Sequence, residues 1–367
     1  MNRVALIHDW LTGRRGGEKV LEALVTLFPD ADIFTLFHFK GSQSKIIEDK
    51  KIHWSFLQNF PFIKKFYRNY LPLYPIAIEL FNLEKYDLII SSSHCVAKGI
   101  IPHPHSLHIC YCHTPMRYAW DLYHYYFPQP SMSLFKKIFI PSIMNWLRTW
   151  DQATSLRVDY FISNSYHVAK RIKKYYGREA EVINPPVDTE FFTLYEEKED
   201  YYLIVSALVP YKKIDLAISA FNRINKKLKI VGNGPDYKKL KKLAGKNVEF
   251  LGSVSDSDLK FFYQRAKCFL LPGEEDFGIA PLEAQACGTP VIAFRKGGAT
   301  ETILENETGI FFEKLNIESL ISAIDKFEKI KFNFKKIRDW TLNFSYDKFL
   351  DRIRKSIDEK IEKFREK

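Results

Sequence analysis

With 367 residues, 46% of them apolar, the chain exceeds one ordinary core and can fill two of similar size. Its net charge of +11 is uneven, residues 1–185 holding 23 Lys/Arg against 15 Asp/Glu and the remainder 32 against 29, so the amino-terminal half is expected to carry a basic face. No nucleic-acid-binding motif accompanies that charge, no apolar run approaches the ~20 residues of a membrane-spanning helix, and five cysteines, an odd number in mostly apolar surroundings, point to a reducing cytoplasm rather than a disulfide scaffold.

Met1-Asn-Arg-Val-Ala-Leu-Ile-His-Asp9 meets charge too early for a signal peptide, and none is expected. Val4-Ala-Leu-Ile7 is a buried-strand pattern, Thr12-Gly-Arg-Arg-Gly-Gly17 a phosphate-type loop, and Glu18 to Phe28 an amphipathic helix. Gly16 and Gly17 allow close backbone approach and an anion site at the helix start, with His8 and Asp9 just before the loop, either beside an acceptor or structural. Trp54 to Tyr70 and Ser133 to Arg148 interleave basic and aromatic residues, a pattern that suits interfacial helices and equally suits core packing. Asp87 to Ser91, Leu107 to Cys112 and Asp159 to Ser163 repeat the short apolar run and, alternating with helices, predict a parallel sheet. His103, His105 and His108 surround prolines and are expected to be exposed rather than metal ligands; Cys110-Tyr-Cys112 lacks the spacing of a zinc knuckle. His113 follows the central run, where an imidazole can bond a hydroxyl without fixed charge.

Asn184-Pro-Pro-Val187 cannot continue a helix and marks a boundary, giving domains over 1–185 and 186–345 and an amphipathic helix over 346–367. A second series of strands is expected at Tyr202 to Ser206, Leu228 to Val231, Val248 to Leu251, Cys268 to Leu271 and Pro290 to Ala293. Lys212 and Lys213 lie on the loop after the first of these, where open parallel sheets bind ligands, and Lys212 is the candidate cation for a diphosphate. Gly232 and Gly234 lack the third glycine of a dinucleotide fingerprint. Asp256-Ser-Asp258 looks like a metal-binding pair and suits a helix cap better. After Cys268 to Leu271 the chain turns at Pro272-Gly273 and passes Glu275 and Phe277-Gly278 into a helix expected to begin at Pro281 and to carry Glu283. One carboxylate on a loop, free N–H groups at a helix start and one carboxylate on the helix suit sugar hydroxyls, a diphosphate and a ribose, which is to say a sugar nucleotide.

The stretch from Pro272 to Ala293 resembles the Glu-x7-Glu signature of the family 4 retaining glycosyltransferases, over almost the full chain. The wording His113-Thr-Pro-Met-Arg-Tyr-Ala-Trp-Asp121 resembles their mannosyltransferase branch in O-antigen and exopolysaccharide assembly. The resemblance implies an α/β GT-B fold, two Rossmann-like domains facing each other across a cleft, with the final helix packing back on the first. It implies GDP-mannose as donor, no cofactor or metal, and a lipid-linked or oligosaccharide acceptor, while the basic amino-terminal half and its basic aromatic stretches point to the anionic inner face of the cell membrane. Glu275 would orient the donor sugar and Glu283 the ribose. Lys212, with Lys213 and the amides around Phe277, Gly278, Ile279 and Ala280, would hold the diphosphate, and His113 would contact the sugar's 6-hydroxyl region. Gly232 and Gly234 would lie near the nucleotide, and Gly16 and Gly17 would face the reacting phosphate and acceptor. Ala207 departs from the pattern, which commonly has Arg there. A nucleotide-sugar epimerase shares the two-domain layout, and a non-catalytic scaffold would tolerate Ala207.

Overall fold

The computed structural model describes residues 3–13, 16–127 and 133–366, with the side chains of Phe135 and Lys136 also outside the description. Two compact units form, Met1–Pro185 with Phe349–Lys367, and Pro186–Lys348. In the first, seven parallel strands run β1 (Val4–His8), β2 (Asp32–Thr35), β3 (Ile52–Trp54), β4 (Leu88–Ser93), β5 (Leu107–Cys112), β6 (Tyr160–Ser163) and β7 (Ala180–Val182), in the order β3-β2-β1-β4-β5-β6-β7. Strands β4 and β5 are buried along their whole length, as expected of a central parallel sheet covered on both faces, and they carry Ser91, Ser92, Ser93 and His108 out of water among their apolar residues. The short β2, β3 and β7 carry Asp32, His53 and Glu181 and offer no such run.

The second unit has six parallel strands, β8 (Glu199–Val205), β9 (Leu228–Val231), β10 (Val248–Gly252), β11 (Ala266–Leu271), β12 (Val291–Phe294) and β13 (Gly309–Phe312), ordered β10-β9-β8-β11-β12-β13. In each sheet the order reverses beside its first strand, between β1 and β4 and between β8 and β11. There, consecutive connections leave for opposite faces and open a crevice at the carboxyl ends of the strands.

Three local expectations change. The stretch from Trp54 to Tyr70 is not one helix: Trp54 ends β3, and short turns Phe56–Asn59, Ile63–Phe66 and Tyr67–Leu73 follow, because Pro61 and Pro72 interrupt the backbone ladder. His108 is buried, not exposed, because it lies on central β5, where Nε2 meets Ser91 Oγ at 2.9 Å and Nδ1 meets the Arg157 carbonyl at 3.1 Å. The helix that carries Glu283 starts at Ile279, two residues before Pro281, with Gly278 at a φ of 92° supplying its entry. The last helix, Tyr346–Arg365, buries Phe349, Ile353 and Ile357, and its Lys360 and Ser356 both bond Glu181.

A buried ion pair fastens the first unit. Lys98 Nζ stands 2.8 Å from Asp151 Oδ1, both side chains almost wholly out of water, and also donates to the Asp151 carbonyl and Thr154 Oγ1. Trp120 Nε1 and Tyr176 Oη donate to Asp151 Oδ2, so one carboxylate ties together the loop after β4, helix Leu134–Thr154, the segment around Trp120 and helix Tyr166–Tyr176. Lys98→Met should cost about 3–5 kcal/mol by urea unfolding, because it strands a buried charge; a loss under ~1 kcal/mol would show that Asp151 is solvated or neutral.

Candidate functional site

Parallel pairing sets His8 opposite Ser92 on neighbouring strands, and His113 follows directly on the end of β5, its N–H donating to the Ser93 carbonyl at 2.8 Å. Ser92 Oγ lies 3.1 Å from His8 Nδ1 and 2.8 Å from His113 Nε2. A methyl group at Gly17 would stand 3.5 Å from His8 Cε1 and 3.6 Å from His113 Nε2, so the first turn of helix Gly16–Leu27 lies against both imidazoles. Three residues singled out by sequence, His8, Gly17 and His113, therefore converge at the β1/β4 switch point; Arg14 and Arg15 of the same loop lie outside the described residues. Burial, reinforced by the neighbouring His94 and His8, pushes the His113 pKa down to about 3 and keeps that imidazole neutral.

Asp9 sits beneath this group rather than on its surface. Its carboxylate accepts from the N–H groups of His94, Cys95, Val96 and Ala97 at 2.6–2.9 Å and from His94 Nδ1 at 3.0 Å, with no exposure. Burial opposes its charge, but the His94 ring and amide outweigh it and hold Asp9 below the usual carboxylate range. Much of the segment from His113 to Asp121 is likewise scaffold: Met116 and Ala119 are buried, Tyr118 Oη contacts Cys95 Sγ, and Asp121 pairs with Arg171 at 3.0 Å.

In the second unit the loops after β8 and β11 touch. A Cβ on Gly273 would fall 2.7 Å from the Tyr211 carbonyl and 2.8 Å from Lys212, so only glycine permits this approach, and through it Lys212 Nζ pairs with Glu275 Oε1. Beyond the ends of β11 and β12, Glu275 bridges Gly297 in parallel and its carbonyl accepts from Gly298 N–H at 2.8 Å. Glu274 pairs with Lys296 at 3.2 Å. Helix Ile279–Ala286 begins three residues after Asp276, and its first N–H groups lack intrahelical acceptors. Glu283 on that helix is buried and accepts from Tyr263 Oη at 3.0 Å.

Gly232 and Gly234 serve packing. Added Cβ atoms would lie 1.9 Å from the Ser206 carbonyl and 2.3 Å from that of Leu208, so these glycines let the loop after β9 sit against the loop that carries Ala207. Lys213, at a φ of 55°, precedes helix Ile214–Ile224. Asp256 and Asp258 fall in the first turn of a helix whose cap is Ser255, which accepts from Asp258 N–H. Among the described residues no group of three His, Cys, Asp or Glu is placed to hold a metal. Ser92, Tyr263 and the loop Lys296–Gly298 were not singled out by sequence, and Glu18 was noted only as the residue after Gly16 and Gly17 at the helix start. Only Gly297-Gly298 offered a signal there, a glycine pair soon after a strand.

Residues 15–191 match the family described as Glycosyltransferase Family 4, and residues 188–342 match Glycosyl transferases group 1. An uncharacterized glycosyltransferase of Methanocaldococcus jannaschii is 28% identical over 64% of this chain and 74% of its own. The GDP-mannose-dependent alpha-(1-6)-phosphatidylinositol monomannoside mannosyltransferase of Mycolicibacterium smegmatis is 32% identical over 33% of this chain and 36% of its own. The O-antigen chain mannosyltransferase RfbU of Salmonella typhimurium is 33% identical over 47% of this chain and 54% of its own, so this chain spans about a third to a half of the two mannosyltransferases. The solved lipopolysaccharide outer core galactosyltransferase WaaB in its apo form superposes with a TM-score of 0.69 at 16% identity, over 98% of this chain and 99% of its own, a likeness of fold. The two family matches between them take in both sheets, and the chain belongs to the GT-B glycosyltransferases, with a family 4 domain followed by a group 1 domain.

Proposed function

We propose that the chain is a retaining hexosyltransferase that moves mannose from GDP-mannose to a lipid-linked or oligosaccharide acceptor in the assembly of a cell-surface polysaccharide. The observation that carries the reading is the contact of Lys212 with Glu275 at the β8/β11 switch point, beside the start of helix Ile279–Ala286. An ammonium and free helix-start amides favour a diphosphate. A carboxylate paired to that ammonium has a site to vacate and sugar hydroxyls to accept. Glu283, fixed by Tyr263, would take the ribose hydroxyls. The donor's C1–phosphate bond breaks as C1 bonds the acceptor oxygen on the same face, and the departing phosphate oxygen takes the acceptor's proton. Lys212 and the amides of Ile279 and Ala280 stabilise the charge that develops on the diphosphate, so the reading needs neither cofactor nor metal. His113 would face the sugar. Mannose and GDP as its carrier rest on the names of the relatives.

The first unit carries the membrane part of the reading. Phe62 (78% exposed), Leu134 (75%), Ile138 (60%) and Trp146 (43%) place apolar side chains in water, with Lys64, Lys65, Arg68 and Lys137 also exposed. That mixture suits an anionic lipid surface on the cytoplasmic side. No described helix is long and apolar enough to cross a membrane.

Glu275→Gln is expected to lower kcat/KM for transfer from GDP-mannose by about 10²-fold or more while the fold survives, and Asp276→Asn to change it by less than about threefold. Equal turnover by Glu275→Gln and wild type contradicts the assignment; epimerised sugar nucleotide without acceptor, or no turnover of any sugar nucleotide, would favour an epimerase or a scaffold instead. In flotation with anionic and neutral vesicles, binding should favour the anionic ones and weaken with salt. Lys64→Glu, Lys65→Glu and Lys137→Glu together should reduce it by more than about tenfold. Indifference to vesicle charge would remove the electrostatic argument.

A further inference from the structure

The proposed mechanism leaves unused a row of polar groups behind His113. His113 Nε2 meets Ser92 Oγ at 2.8 Å, the same hydroxyl meets His8 Nδ1 at 3.1 Å, and His8 Nε2 faces Glu18 Oε1 at 3.9 Å. Ser92, His8 and Glu18 are all buried. Ser92 has a single proton, so it can donate to one imidazole only and must accept from the other. The row therefore has two polarities. In one, His8 carries its proton on Nε2, Ser92 donates to His8 Nδ1, and His113 donates Nε2–H to Ser92, which leaves a lone pair on His113 Nδ1. In the other every bond is reversed and His113 carries its proton on Nδ1.

Glu18 decides between them. At 3.9 Å the carboxylate is too far for a hydrogen bond, and His8 Nε2 has no hydrogen-bond partner among the described residues, but the negative charge favours a proton on the His8 nitrogen that faces it. Burial raises its pKa, yet the His8 ring and its own backbone amide prevail and leave it lowered, so Glu18 is ionised. Its place in the first turn of helix Gly16–Leu27 adds the favourable end of the helix dipole. His94 turns its Nδ1 to Asp9 at 3.0 Å.

We infer that Glu18 is a positioning residue which, through His8 and Ser92, fixes His113 as the Nε2–H tautomer and so presents the lone pair of Nδ1 as a hydrogen-bond acceptor. Nδ1 has no partner among the described residues. A lone pair there accepts from a hydroxyl, whereas an N–H would need an acceptor; a sugar hydroxyl that donates to His113 is then free to accept from elsewhere. The tautomer stands on this unit's own geometry, and its consequence for turnover rests on the proposed mannosyl transfer.

Long-range proton–nitrogen correlation spectra of the full chain with labelled histidine, at mildly alkaline pH, read the tautomer directly, with His113→Gln identifying the signals. The wild type is expected to show His113 protonated on Nε2. Glu18→Gln, whose amide can donate to His8, should move His113 toward Nδ1–H, and in a Ser92→Ala background the same change at residue 18 should leave His113 unmoved. Where transfer is measurable, Glu18→Gln should lower kcat by about tenfold at unchanged melting temperature, the size of one misdirected hydrogen bond. Wild-type His113 protonated on Nδ1 overturns the inference, and so does an unchanged His113 in Glu18→Gln. The spectra need no donor, so failure of the transfer reading and failure of the relay are separate results.

Discussion

The reversal of strand order beside the first strand of each sheet is the constraint from which the rest follows. Parallel strands end on one edge, and where neighbouring connections leave for opposite faces nothing covers that edge. In the first unit the gap lies between β1 and β4 and gathers His8 and Ser92, with His113 from β5 beside them. In the second it lies between β8 and β11 and gathers Lys212 and Glu275. The two units repeat one solution with different chemistry: imidazoles and a hydroxyl in one, an ammonium, a carboxylate and helix-start amides in the other.

Buried charge holds these edges in place. Asp9 takes four backbone N–H groups of the segment after β4, an arrangement that only an ionised carboxylate with its lone pairs filled could make tolerable out of water. Asp151 does the same for helices farther back through Lys98, Trp120 and Tyr176. Rigid support of this kind lets a neutral His113 keep one orientation, and glycine at 273 lets two loops approach to backbone contact so that Lys212 reaches Glu275. The side chains that would meet a ligand are few; those that hold them are many.

Sequence showed most of the buried strands because burial on both faces leaves a short, mostly apolar run, as in Val4 to Ile7 of β1 and Cys268 to Leu271 of β11. It missed β2, β3, β7 and β13, which are three or four residues long, and of its two readings for Trp54 to Tyr70, interfacial helix or core packing, a continuous helix is ruled out by Pro61 and Pro72. Lys212, Glu275 and Glu283 were visible as charged residues just past apolar runs or at a helix start. Their partners were not: Tyr263 lies twenty residues before Glu283, and Ser92 is one of three serines in β4, distinguished only by its register against His8. His108 was misjudged because neighbouring prolines outweighed its place in the strand itself.

The account turns on whether Lys212 and Glu275 divide a sugar nucleotide between them, the first holding diphosphate and the second sugar. Isothermal titration of GDP and of GDP-mannose into the wild type, Lys212→Met and Glu275→Gln tests this directly. The account predicts that Lys212→Met weakens both ligands alike, by about tenfold or more, whereas Glu275→Gln weakens GDP-mannose and leaves GDP nearly unchanged. Affinities untouched by either substitution, or a loss of GDP binding in Glu275→Gln equal to that of GDP-mannose, would contradict it.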